Sequence, residues 1–324
     1  MLKIRAYQTN DEKAILDLDR RVLPSLWNPR TLENWHWKFS GDNPSGKAFI
    51  WLAELEKEII AHFAAIPMYL KVFEERIRGS HTIGALVDQR FQNRGLLKLV
   101  ADKLWEDLSK NDVPLTWGFP NERAYSLHKL FFGYDDLIHF DTWKLTCPKG
   151  KDDPLPPSFH PIMAFDDDFD RLWKECQQDY GILVVRNKRH LNWRYADRPD
   201  WTYYSFGYYP QGILKGYVTL KLFMEEKILK GHILDIFAAA SNEHVFDNLL
   251  KGSLTFFIRR RVDHVTLWIS RSSAIENALS ENGFHKTGEK RPLVLRFNCE
   301  LKDRARILDS AHWFFTMGDS TEIF

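Results

Sequence analysis

Apolar and polar residues recur with two different periodicities along the chain, and each periodicity predicts one type of secondary structure. Residues 2–6 alternate one by one, as a half-buried strand does, whereas residues 95–110 repeat their apolar positions every three or four residues, as an amphipathic helix does. We therefore predict strands and helices in mixed order. The predicted strands are 2–6, 48–53, 59–72, 80–87, 114–117, a strand reaching 143, 203–208, 212–222, 230–239 and 262–269. The predicted helices are one capped by Asn10, one after Pro29, 95–110, 121–132, 166–180, 188–195, one ending at 260 and one ending at 282.

This order of elements recurs about 150 positions later. Leu86-Val87 aligns with Ile236-Phe237. The apolar positions that follow also align, without a gap, over about fifty residues. Upstream, the segment 37–39 (Trp-Lys-Phe) recurs at 193–195 (Trp-Arg-Tyr). We interpret the chain as a duplicated unit.

The proline-rich stretch between the two copies sets the predicted domain limits. Residues 1–146 form the first domain, and 147–161, rich in proline, lysine and aspartate, form a stiff exposed linker. Residues 162–298 form the second domain. The tail, 299–324, is too aromatic for a free end, so we expect it to pack back on the body.

Composition narrows the classes of function. Hydrophobic residues make up 44% of the chain, which excludes a disordered protein, and 45 basic against 44 acidic residues provide no global field toward nucleic acid or a membrane surface. The three cysteines lie far apart and predict free thiols in a reducing compartment. The twelve histidines lack ligand spacing, so we expect no metal. The longest apolar run, 59–70, is too short to span a bilayer, so we expect a cytoplasmic protein.

The joint between the strand 80–87 and the helix 95–110 is the best candidate for chemistry. Such a turn directs unpaired backbone N–H groups to one point, and the helix dipole adds positive potential, which suits a phosphate or pyrophosphate. Gly95 allows close approach of the backbone, and Gln92, Asn93 and Arg94 add side-chain donors. A plain connection with a helix cap is the alternative, because this arrangement is common.

The turn and the elements after it resemble the acyl-CoA-binding half of the GNAT superfamily of N-acetyltransferases. A strand is followed by a Gln-x-x-Gly-x-Leu helix start, a second strand, and an Asn-x-x-Ala helix that ends in Gly-Tyr. These motif residues are Gln92, Gly95 and Leu97, then Asn121 and Ala124, then Gly133 and Tyr134. The resemblance covers about residues 2–146, with a weaker second copy over about 160–298. It implies an α+β fold of two tandem GNAT-like domains, each a mixed twisted β-sheet flanked by helices.

The resemblance also implies a cosubstrate, acetyl-CoA or another acyl-CoA, and the residues that hold it. The strand end would pair with the pantetheine arm, the N–H groups of the turn would hold the pyrophosphate, and Asn121 would contact pantetheine or fix the following helix. The implied cofactor-binding residues are Leu86, Val87, Gln92, Asn93, Arg94, Gly95, Leu96, Leu97 and Asn121.

Transfer of the acyl group to an amine needs a base for the ammonium and an acid for the leaving thiolate. His128 stands where the family has a catalytic Tyr, so we predict it as the acid, with Tyr125, one turn earlier, as the second candidate. A half-buried histidine without a chemical role is the alternative. Asp88 or His81 is predicted as the base, and bulk water could serve instead.

The second copy departs from the motif, because Val245 stands at the position of Gly95. We therefore expect one CoA site, with the second domain supplying either a wall of the acceptor site or a dimer surface. Aromatic residues at 193–195 and 203–204 are candidates for that wall. The expected acceptor is a small-molecule or peptide amine, with no nucleic-acid or membrane partner. Two alternatives stay open: a FemX-type tandem aminoacyltransferase, which would need a basic groove for tRNA, and a non-catalytic degenerate GNAT pair.

Overall fold

The computed structural model describes residues 1–23, 31–150 and 153–321. Pro29, residues 151–152 of the predicted linker and the last three residues of the predicted tail lie outside this part of the chain. The strands are β1 Leu2–Ala6, β2 Phe49–Leu55, β3 Glu58–Val72, β4 Glu75–Val87, β5 Leu115–Gly118, β6 Asp135–Thr146, β7 Phe159–Ile162, β8 Ile182–Val184, β9 Tyr203–Tyr208, β10 Gly216–Glu225, β11 Ile228–Ala238, β12 His264–Leu267, β13 His285–Phe297 and β14 Trp313–Phe314. The helices are α1 Glu12–Val22, α2 Leu32–Phe39, α3 Leu96–Lys110, α4 Glu122–Phe131, α5 Asp167–Cys176, α6 Lys188–Leu191, α7 Glu243–Arg259, α8 Ser273–Glu281 and α9 Arg304–Ile307.

The strands form one mixed sheet whose order is symmetric about its middle. The order is β1-β2-β3-β4-β5-β13-β6-β12-β11-β10-β9-β7, with β8 and β14 as a side branch on β3. Read inward from either edge, three antiparallel pairings are followed by one parallel pairing, β4 with β5 on one side and β11 with β12 on the other. We call the side from β1 to β5 the N-half and the side from β7 to β12 the C-half.

The two central strands are exchanged between the halves. β13, late in the chain, pairs with β5 of the N-half, whereas β6, early in the chain, pairs with β12 of the C-half. β6 and β13 also pair with each other. The halves are therefore joined by backbone hydrogen bonds through the middle of the sheet, and not only by the connection between β6 and β7.

Buried apolar contacts hold the helices and the halves in place. The stripe predicted on α3 is buried, with Val100, Leu104 and Leu108 fully enclosed against the N-half sheet. Trp37 of α2 stacks on Trp193 at a ring distance of 5.4 Å, and each indole N–H donates to the other residue's carbonyl, at 2.7 and 3.4 Å. The two recurring aromatic segments of the sequence thus meet at the junction of the halves.

Two of the predicted elements are wrong in detail, and one short strand was not predicted. Asn10 does not cap α1, because it has a φ of +85° and the helix starts after Asp11. The end of the predicted linker is not a connector, since Phe159–Ile162 form the edge strand β7 and Phe159 is buried in the C-half core. The short strand β8 had no alternating pattern to predict it, because three residues are too few to show one.

The aromatic tail is packed on the body over its described residues. Trp313, Phe314 and Phe315 are at most 4% exposed. The cysteines carry free thiols, with Cys147 and Cys176 buried and Cys299 exposed. Within residues 1–23, 31–150 and 153–321, no helix is long and apolar enough to cross a membrane, and no group of three or more His, Cys, Asp or Glu side chains could hold a metal ion.

Candidate functional site

Strands β4 and β5 run side by side for three residues and then separate. Gly79–His81 pair in parallel with Leu115–Trp117, whereas β4 continues to Val87 and β5 ends at Gly118. A cavity of about 450 Å³ opens where the strands part. We call it the central cavity. Its N-half walls are α1, α2, the β4 segment from Thr82 to Leu86, and the segment from Phe119 to Asn121 that follows β5.

The free part of β4 is bent by a bulge. The register with β3 shifts between His62 and Ala64, opposite Gly84, which has a φ of +64°. A Cβ at Gly84 would lie 2.5 Å from the His62 ring, so this position combines a left-handed backbone with a close approach. The bulge interrupts the regular ladder next to the cavity, where Gly84, Ala85 and Leu86 form its wall.

The amino end of α3 is open. Gly95 has a φ of +72° and no side chain, so no side chain caps the helix, and a Cβ placed there would meet nothing within 4 Å. The N–H groups of the first turn and the helix dipole therefore face free space, as an anion site requires. Asn93 and Arg94 are exposed beside Gly95, and Gln92 is half-buried. Leu97, half-buried, packs on the N-half core under the helix.

Asn121 takes a structural role that the sequence suggested. Its side-chain oxygen accepts a hydrogen bond of 2.9 Å from the Ala124 N–H and so caps α4. Asn121 also lines the central cavity. The cap fixes the start of the helix that carries His128.

His128 lies in the wall of the central cavity, at the end of β5. It is 6% exposed, and its Nδ1 donates to the Ala124 carbonyl oxygen at 2.8 Å. A Cβ at Gly118 would lie 3.7 Å from its Nε2. Burial lowers the pKa of His128, so the neutral ring predominates at pH 7. Since Nδ1 carries the proton, the free lone pair is on Nε2.

The other three predicted acid and base residues are not part of the described lining of this cavity. Tyr125 donates to Asp136 at 2.5 Å on the outer side of α4, and partial burial and that carboxylate raise its pKa. Asp88 accepts hydrogen bonds from the Arg90 and Arg21 side chains, which hold its pKa well below the usual range. Its carboxylate is therefore a very weak base.

His81 lies in β4, with its Nδ1 3.2 Å from the Thr321 hydroxyl. Burial, together with the charges of Arg194 and Lys38, lowers its pKa to about 3. The sequence could not show which side of the strand faces the cavity, and this residue is enclosed beside Trp117.

The C-half supplies the opposite wall of the central cavity, with residues other than those expected. Trp193 and Tyr195 are buried in the cores. The described residues of this wall are Trp201, Lys221, Phe223, Glu225 and His232, and Arg291 of the exchanged strand β13 lines the same cavity. Alternate positions 221, 223 and 225 of β10 share one face of the strand, a pattern visible in the sequence. What the sequence does not show is that the strand exchange turns this face toward the N-half.

The equivalent place in the C-half is closed. Asn242 caps α7 by accepting a hydrogen bond of 3.2 Å from the Val245 N–H, so this helix end has a side-chain partner that α3 lacks. The tail enters the gap beyond β12, where the Ser270 N–H donates to the Phe315 carbonyl at 2.9 Å and Ile269 bridges Thr316. A smaller cavity of about 190 Å³ is left beside this segment.

Comparison with known proteins agrees with this geometry. Residues 3–133 match the family model described as an acetyltransferase (GNAT) domain. A comparison with curated proteins finds no match. The match covers the N-terminal part of the chain, which is the part where the sequence motif indicated a resemblance to the same family.

Solved structures extend the likeness in fold over nearly the whole chain. A GCN5-related N-acetyltransferase from Anabaena variabilis has a TM-score of 0.66 at 14% identity, covering 92% of this chain and 73% of that one. An Enterococcus faecalis protein described as a probable N-acyltransferase has a TM-score of 0.68 at 12% identity, with coverages of 92% and 73%. Saccharomyces cerevisiae N-myristoyltransferase with bound myristoyl-CoA has a TM-score of 0.66 at 10% identity, with coverages of 93% and 83%. The predicted α+β fold class is confirmed.

Proposed function

We propose that this protein is an acyl-CoA-dependent N-acyltransferase with its cosubstrate in the N-half and its acceptor in the central cavity. The observation that carries the proposal is the separation of β4 from β5 next to the uncapped amino end of α3. The gap offers a free strand edge to an amide-containing chain, and the helix end offers N–H groups to phosphates. Acyl-CoA has both parts, a pantetheine arm with two amides and a pyrophosphate.

In this arrangement the pyrophosphate lies on the turn from Asn93 to Leu97, with Gln92, Arg94 and the N–H group of Leu96 beside it. The pantetheine arm runs along the free edge of β4 toward Leu86 and Val87. The thioester then lies beside Gly118 and His128, where the cavity begins. Acetyl-CoA is the cosubstrate that we propose to test first, and the myristoyl-CoA bound to the yeast neighbour makes a longer acyl chain the second to test.

The reaction joins the acceptor nitrogen to the acyl carbon and breaks the carbon–sulfur bond. One proton leaves the amine, and the CoA thiolate takes up a proton. Because His128 is neutral with its lone pair on Nε2, it is suited to accept the amine proton, whereas the predicted acid role needs the charged ring that burial disfavours. We propose His128 as the base, with Tyr125 and Asp88 outside the reaction.

The tandem arrangement and the place of the protein in the cell belong to the same proposal. The symmetric strand order and the Trp37–Trp193 pair support a duplication in which the C-half lost its cosubstrate site. Three unpaired thiols support a reducing compartment such as the cytoplasm.

Calorimetric titration with acetyl-CoA and myristoyl-CoA, followed by thiol release with a panel of amines, tests the proposal. We expect binding of one of the two and amine-dependent release. His128→Gln should lower kcat about 100-fold or more with an unchanged Kd for acyl-CoA, whereas His285→Gln, an exposed histidine of β13, should change neither. No binding of either thioester would refute the function. Binding without thiol release for any amine would favour a non-catalytic module, and transfer from aminoacyl-tRNA would favour the FemX-type reading.

A further inference from the structure

The charges of the C-half wall are unevenly paired. The two carboxylates that line the central cavity each have a described partner, since Glu225 pairs with Lys230 and Asp19 accepts from His62 at 2.8 Å. Lys221 and Arg291 line the same cavity, and neither side chain makes a hydrogen bond or ion pair with any residue in the described part of the chain. The cavity therefore presents two basic side chains that have no carboxylate partner among the described residues.

Lys221 is the more unusual of the two. It is only 5% exposed and lies on β10, with its Nζ 3.5 Å from the centre of the Trp201 ring. An aromatic face stabilises a buried ammonium in part, but it provides no hydrogen-bond acceptor, and a buried charge without one is costly. The nearby carboxylate of Asp200 does not neutralise the buried ammonium, because it is already paired with Arg198 at 2.7 Å.

The pKa of Lys221 reflects the cost of burying its charge. Burial, together with the charges of Arg198 and Arg194, lowers its pKa to about 7. Asp200 acts in the opposite direction. His232, which faces Lys221 from β11, is itself kept neutral by burial and by the charges of Lys221, Lys230 and Arg291, which lower its pKa. An anion bound at this wall would supply the missing acceptor and restore the charged ammonium.

We propose that Lys221 binds an acidic group of the acceptor, in a cavity to which Arg291 adds positive charge, so that the substrate is an amine that also carries a carboxylate. This inference rests on the proposed function, because it places the amine of the same molecule at the thioester. A carboxylate can accept a hydrogen bond from the Lys221 ammonium, and such a charge-assisted bond is stronger than a neutral one. The apolar side chains between, such as Phe223 and Trp35, suit an aromatic or aliphatic body.

Matched pairs of amines test the inference. Tyrosine and tyramine, tryptophan and tryptamine, and histidine and histamine differ only in the carboxylate. With acetyl-CoA as donor, or myristoyl-CoA if only that binds, we expect kcat/KM to be at least about 10-fold higher for the acidic member of the preferred pair. Lys221→Met should remove this preference by raising KM for the acidic member, and Lys221→Arg should keep part of it. Lys215→Met removes an exposed lysine paired with Glu175 and should change nothing.

The outcomes separate this inference from the proposed function. Equal or greater rates with the decarboxylated amines, or an unchanged preference in Lys221→Met, would overturn the acidic acceptor while leaving the acyltransferase intact. A loss of kcat for both members of every pair would make Lys221 a base instead and would also overturn it.

If no thioester binds, or no amine of the panel is acylated, a measurement that needs no turnover tests whether Lys221 binds a carboxylate. Lys221 is labelled with acetic anhydride and followed by peptide mass spectrometry. Protection by tyrosine but not by tyramine supports the carboxylate site, and equal labelling in both overturns it.

Discussion

Replacement of Gly95 by valine tests the phosphate site and separates it from the stability of the fold. The residue has a φ of +72°, a conformation in which a β-branched side chain is strained. Its surroundings are open, since an added Cβ meets nothing within 4 Å. We therefore expect the folded protein to lose only the cost of the backbone strain, about 1–2 kcal/mol.

The effect on the ligand should be larger. If the pyrophosphate contacts the first-turn N–H groups, the two γ-methyl groups of valine occupy its space. Loss of two charge-assisted hydrogen bonds, each worth about 1.5–3 kcal/mol, weakens binding by at least about 100-fold. Calorimetric titration with acetyl-CoA measures this change, and urea unfolding measures the loss of stability.

Gly212 provides the matched control. It has a φ of +78°, it is exposed, and an added Cβ there also meets nothing within 4 Å. Gly212→Val therefore carries the same kind of strain away from both cavities, and it should lose similar stability with unchanged binding. Wild-type affinity in Gly95→Val, or an equal loss of affinity in Gly212→Val, would refute the assignment of the turn to phosphate.

Three further outcomes are expected. Titration should give one acetyl-CoA per chain, because the amino end of α7 is capped by Asn242, and a stoichiometry of two would contradict this. Asn121→Ala should lower the free energy of unfolding by about 1 kcal/mol through loss of the α4 cap, whereas an unchanged melting temperature would argue against the cap. Stability should fall with acid, because burial lowers the pKa of His81, His190 and His232 to about 3, and the unfolded chain takes up these protons below its pKa of about 6.5. Each of these should cost about 2 kcal/mol at pH 5, and urea unfolding at pH 7 and 5 would measure it.

The sequence predicted those features that depend on neighbours in the chain. The helix stripe of α3, the Asn121 cap and the open Gly95 turn are local, because each is decided by residues within a few positions. The exchange of β6 and β13 is not local, since strand register depends on partners more than a hundred residues away. The sequence did not predict Lys221 as a site residue for the same reason, because only the assembled sheet brings β10 opposite α1 and α2.

The tail distinguishes the gap of the C-half from that of the N-half. In the N-half, the segment after β5 contains Pro120, which has no backbone N–H group to donate to β4. The described residues leave the edge of β4 free there. In the C-half, the run after β12 has already used its hydrogen bonds on the tail, through Ile269 and Ser270. Buried ion pairs anchor this tail, with Asp319 2.8 Å from Arg186, which in turn contacts Asp235 of β11. A pantetheine arm entering there would have to displace backbone pairing and leave a buried guanidinium without its partner, at a cost of several kcal/mol. The tail therefore closes one of two similar gaps and leaves the other open.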